Sequence, residues 1–104
     1  MVLLTEQQQI DVLREKCDSA KKRIWIASPY IGGLKDVLKI IGGRWMLPSI
    51  DCRILTDVDS GFIRKDTFDM FVDNGVVKHL DSLHAKIYII DDWCLVTSAN
   101  LTDS

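Results

Sequence analysis

His84 and Lys86 stand two residues apart, Asp91 follows after four more, and Ser98 and Asn100 come soon after, all within the run HAKIYIIDDWCLVTSANLT. Each type has a use at a phosphate. An imidazole near neutral pH attacks phosphorus or shuttles a proton, an ammonium supplies a point positive charge, and a hydroxyl and an amide donate hydrogen bonds to non-bridging oxygens. Residues 83–90 and 93–97 form two apolar runs joined tightly at Asp91 and Asp92, which predicts a β-hairpin. Strand side chains alternate, so His84 and Lys86 are expected to project from one face, with Ser98 and Asn100 brought beside them by the returning strand. Asp91, at the turn, reads first as a residue that holds the hairpin or pairs with a nearby cation.

The elements ahead of the hairpin must carry it. Thr5 and Gln8 have the spacing of a capping box, and Ile10, Leu13, Cys17 and Ala20 then recur at helical spacing, so a helix is expected over 6–21. Residues 23–28 are apolar enough for a buried strand that Pro29 ends. Leu34, Val37, Leu38 and Ile41 repeat on one face of a second helix that stops at Gly42-Gly43. A second strand over 50–56, a polar turn over 57–61, a third helix over 67–73 and a third strand over 76–80 follow. Phe68, Phe71 and Val72 are expected on the inner face of the third helix, and Asn74-Gly75 at its end. The order α-β-α-β-α-β-β predicts an α/β domain, a mixed sheet flanked by helices, with the hairpin near its centre or edge.

Composition narrows the classes. The 104 residues, 47 % apolar and 27 % charged, describe one ordinary globular domain. A net charge of -2 does not announce a nucleic-acid binder, so a polyanion needs local positive charge. Cys17, Cys52 and Cys94 are odd in number and form no C-x-x-C pair, which predicts reduced thiols rather than zinc or a disulfide framework. No cofactor and no metal are expected: His79 is separated from His84 by a predicted turn, and Gly32-Gly33 lacks the pattern of a nucleotide-binding loop. The N-terminus turns polar too soon for a signal peptide and no apolar run approaches bilayer length, so a cytoplasmic setting is the default. Lys21-Lys22-Arg23 and Arg64-Lys65 read as solvated basic clusters, Trp25 and Trp93 as core, and Trp45 as exposed.

The stretch from His84 to Thr102 resembles the HKD signature of the phospholipase D superfamily, H-x-K-x4-D followed by x6-G-S-x-N. His, Lys and Asp at those offsets arise by chance in roughly one chain of this length in a hundred, and Ser-x-Asn at nearly fixed spacing lowers that by a factor on the order of hundreds. The strand, helix and strand ahead of it, with IASPY ending the first strand, are also similar to the N-terminal half of a phospholipase D-like domain. The resemblance implies metal-free phosphodiester chemistry through a covalent phosphohistidine. It makes His84 and Lys86 catalytic, Lys86, Ser98 and Asn100 phosphate-binding, and Asp91 supporting.

Family sites use two such motifs, and this chain has one. The small single-motif members are nucleases that complete the site by two-fold dimerisation, which implies a homodimer pairing His84 with His84 of a second copy and a DNA or RNA substrate. Three departures stand out. Five residues rather than six separate Asp91 from Thr97, Thr97 replaces the glycine, and residues 1–104 read as a single domain lacking the usual C-terminal elements. Asp103 is too close to Asn100 to serve as the acidic residue that orients the histidine in the family. The alternatives are a catalytically inactive phosphate-binding or interaction module, or a phospholipid phosphodiesterase.

Overall fold

Thr5 opens the first helix as its spacing to Gln8 requires. In the computed structural model, which describes residues 4–60, 63–84 and 86–97, the Thr5 hydroxyl accepts from the Gln8 N–H at 3.1 Å while the Gln8 side chain accepts from the Thr5 N–H at 2.8 Å. This helix, α1, spans Glu6–Asp18 and buries Leu13 and Cys17. It ends short of residue 21 because the N–H groups of Lys21, Lys22 and Arg23 turn instead to the carboxylate of Asp91, 68 to 70 residues away.

β1 (Arg23–Ala27), α2 (Leu34–Ile41), β2 (Asp51–Thr56), α3 (Lys65–Asn74), β3 (Val76–His79), β4 (Ile87–Ile90) and β5 (Trp93–Val96) follow, with short 3-10 turns at Arg44–Met46 and Val58–Ser60. Gly42 closes α2 with φ 69°, a left-handed conformation that glycine adopts without a Cβ clash. Gly75 is needed for space: a Cβ there would stand 2.3 Å from the Cys52 carbonyl oxygen.

The five described strands form one mixed sheet in the order β3-β2-β1-β4-β5. β1 pairs parallel with β2 from Arg23↔Asp51 to Ala27↔Leu55, and β2 pairs parallel with β3. β4 runs antiparallel to β1, with Ile24 opposite Ile90 and Ala27 opposite Ile87, and β5 returns along β4. The mixed α/β architecture is therefore the one the element order predicts, with the hairpin inserted beside β1 and β5 at the edge.

The two sheet faces differ. Ile24, Ile26, Cys52, Ile54, Tyr88 and Ile90 point to one side and join Leu13, Val37, Ile40, Ile41 and Phe71 from the three described helices in a single core. α1 thus buries its apolar face in its own sheet. Val72 lies outward, 49 % exposed, and it is Thr67 and Phe71 that α3 buries. Trp45, expected at the surface, is fully buried: its ring packs 4.6 Å from that of Phe71 and its indole N–H donates to the Gly42 carbonyl at 2.8 Å. Trp25, expected in the core, lies on the opposite face between the guanidinium groups of Arg23 and Arg53, 5.0 and 4.7 Å from its ring centroid. That face carries a trough of about 550 Å³ lined by Trp25, Ala27, Leu55, Val76, Ile87 and Ile89 among others. None of the described helices covers it.

Candidate active site

β4 is antiparallel to β1, so its first residue lies beside the last residue of β1. The loop that leads into β4 therefore sits at the carboxyl end of the parallel strands, where the loops following β1 and β2 also emerge. Open α/β sheets bind ligands at this edge. Three contacts order it: Ile31 and Ile63 form an isolated parallel bridge, the Thr67 hydroxyl donates to the Gly32 carbonyl at 2.8 Å, and the Leu80 N–H bonds the Thr56 carbonyl at 3.1 Å.

His84 is exposed and Lys86 half-buried in this loop. The sequence pattern places both in a strand beginning at residue 83, but regular pairing starts only at Ile87. The difference has a local cause: Asp81 and Ser82 form a turn, Ser82 takes φ 55°, and Leu83 is buried, so strand pairing begins later than the apolar run does. Lys86 marks the transition, since its carbonyl accepts from the Thr97 N–H at 3.0 Å. Ser98 and Asn100 lie outside the described residues.

Asp91 is placed elsewhere. It follows β4, at the opposite end of that strand from His84, and the four residues of β4 alone span about 13 Å. Its carboxylate accepts from the N–H groups of Lys21 at 3.0 Å, Lys22 at 2.7 Å and Arg23 at 3.1 Å. Desolvation pushes this carboxyl up, but the three backbone N–H bonds and the Lys22 charge outweigh it and hold the group below its ordinary range. Asp91 ties the hairpin turn to the start of β1.

Thr97 occupies the position where the HKD signature has glycine. Its hydroxyl donates to the side-chain carbonyl of Gln9, in the first turns of α1. The residue therefore joins the end of the hairpin to α1, a contact glycine would lack.

A cluster that spacing does not show lies beside His84. Asp57, directly after β2, accepts from the Asp59 N–H at 3.2 Å and from the Ser82 N–H at 3.1 Å. His79, at the end of β3, accepts from the Val58 N–H through Nδ1 at 3.1 Å, which leaves its proton on Nε2 to be donated to Asp81 at 2.7 Å. Asp57, His79 and Asp81 bring possible metal-ligating atoms within 4.8 Å of one another. In this arrangement both imidazole nitrogens are already engaged in hydrogen bonds. The only sequence signal was a histidine near a predicted turn, because the partners come from three separate loops and strand ends.

The cysteines form no disulfide among the described residues. Burial pushes the thiols of Cys17 and Cys52 up to about 12, which makes them core residues rather than nucleophiles.

The structure is similar to that of NucT from Helicobacter pylori, with a TM-score of 0.67 at 24 % identity, over 98 % of this chain and 73 % of that one. No curated protein matches the sequence. The family described as "Cardiolipin synthase, PLD-like domain" matches residues 13–104, nearly the whole chain. The chain belongs to the phospholipase D superfamily.

Proposed function

We propose that this chain is a metal-independent phosphodiesterase that cleaves DNA or RNA in a homodimeric site, working in the cytoplasm. The observation that carries the reading is the exposed His84, with Lys86 two residues on, at the carboxyl edge of the parallel strands of a phospholipase D-like fold. His84 attacks phosphorus, a P–N bond forms, and the P–O bond to the leaving oxygen breaks as that oxygen takes a proton from His84 of a second copy. The now neutral second imidazole removes a proton from water, whose oxygen displaces the first histidine and restores both groups. Lys86, Ser98 and Asn100 neutralise and hydrogen-bond the non-bridging oxygens.

Nucleic acid is the preferred substrate class. Likeness to NucT supports it, and no described helix is long and apolar enough to cross a membrane. The test is hydrolysis of bis(p-nitrophenyl) phosphate and of single-stranded DNA in excess EDTA across protein concentration, beside the His84→Asn variant. Activity that resists EDTA, rises with dimerisation and disappears in the variant is expected. A folded, inactive dimer would instead favour the phosphate-binding module, with Thr97 bonded to Gln9 in place of glycine as its structural basis.

A further inference from the structure

We infer that Asp57, outside the signature motif, is a positioning residue for His84, acting through the backbone N–H of Ser82; the inference rests on the phosphodiesterase reading above. Asp57 is the first residue after β2, and its side chain is only 17 % exposed. One carboxylate oxygen accepts from the Asp59 N–H and the other from the Ser82 N–H at 3.1 Å, across 25 residues of sequence. Ser82 holds φ 55°, a conformation that a non-glycine residue keeps only when its surroundings fix it. The Asp57 carboxylate is such a fixture.

His84 lies two residues further on and is exposed, so the packing of its own side chain does not aim it. Its direction is set by the loop backbone. That backbone is tied at Ser82 to the end of β2 and anchored at Leu83, which is 7 % exposed. A second tie reaches it at Asp81, whose carboxylate accepts from His79 Nε2–H, while His79 is itself held by the Val58 N–H. A carboxylate has no favourable contact to make with a phosphodiester anion, so Asp57 acts on the loop and not on the substrate. Reaction requires the nucleophile in near-attack geometry, and a misplacement of about 1 Å costs on the order of 100-fold in rate.

The experiment compares the wild-type chain with Asp57→Ala and Asp57→Asn by steady-state hydrolysis of bis(p-nitrophenyl) phosphate in EDTA and by amide hydrogen exchange. In Asp57→Ala, kcat is expected to fall about 10- to 100-fold with KM within twofold. Ser82 to His84 lose protection while the β1 and β4 amides keep theirs. Asp57→Asn retains a carbonyl acceptor for Ser82 and regains most of kcat. Unchanged kcat in Asp57→Ala overturns the inference, and so does a loss of protection spread evenly over the sheet, which would mark a merely structural carboxylate. A wild-type chain without His84-dependent activity would defeat the phosphodiesterase reading, and the exchange arm then decides alone: Ser82 protection lost in Asp57→Ala upholds the tie, and protection retained overturns it.

Discussion

Asp91, within the motif, and Asp57, outside it, both accept from backbone N–H groups. Asp91 keeps φ 53°, and its carboxylate holds three consecutive N–H groups at the entry to β1. Charge-assisted bonds of this kind make Asp91→Ala cost about 1–3 kcal/mol in urea unfolding at pH 7. The pH dependence has a definite sign. A carboxyl held below its ordinary value of 3.8 contributes stability that is fully present above that value and is lost as pH falls through the lower, folded-state value. The stability gap between wild type and Asp91→Asn is therefore expected to be flat above about pH 5 and to close in more acidic urea melts. A gap independent of pH would show that the charge is not what the three N–H groups use. Thr97→Gly restores the family residue but removes the bond to Gln9 and adds backbone freedom, for an expected loss of about 1–2 kcal/mol, read as a lower Tm.

At the scale of elements, the candidate site depends on where strands end. β2 and β3 run parallel with Thr56 opposite His79, and this register brings Asp57 within 3.8 Å and Asp81 within 2.7 Å of the two nitrogens of one imidazole. The close approach that allows α3 to turn into β3 is made at Gly75, which has extended backbone and no room for a Cβ beside Cys52. Gly75→Ala is expected to cost about 2–3 kcal/mol by forcing β3 away from β2, measured as a lower denaturant midpoint. Because β3 carries His79, the same variant should also lower kcat. Full activity with reduced stability would separate the β2–β3 register from the site.

At the scale of the molecule, all three described helices pack on one sheet face, and His84 lies at the carboxyl edge of the parallel strands. The proposed homodimeric mechanism makes a quantitative prediction. If each site needs His84 from both copies, an equimolar mixture of wild type and His84→Asn retains about one quarter of the activity of the same total amount of wild type, because randomly formed heterodimers are inactive. About one half would mean that each copy works alone. The assay is a mixing curve after subunit exchange, read against dimer content by sedimentation.

Much of this protein was legible along the chain. The capping box of α1, the apolar period of α2 and the alternation of elements follow from contacts a few residues apart, and periodicity reports such contacts directly. The spacing of His84, Lys86 and Asp91 is read the same way, since it is a property of one stretch of chain. The separation of Asp91 from His84 by the length of β4 was not legible, nor was the hold of Asp91 on residues 21–23, because its partners lie some 70 residues away. The burial of Trp45 and the half-exposure of Trp25 also depended on which sheet face the helices chose, a property of packing to which strand alternation is blind. Sequence alone determined which chemical groups this chain has for a phosphodiester; tertiary structure decided which backbone holds them in place, because Asp57 and Ser82 meet only when β2 and the β3–β4 loop end at the same edge.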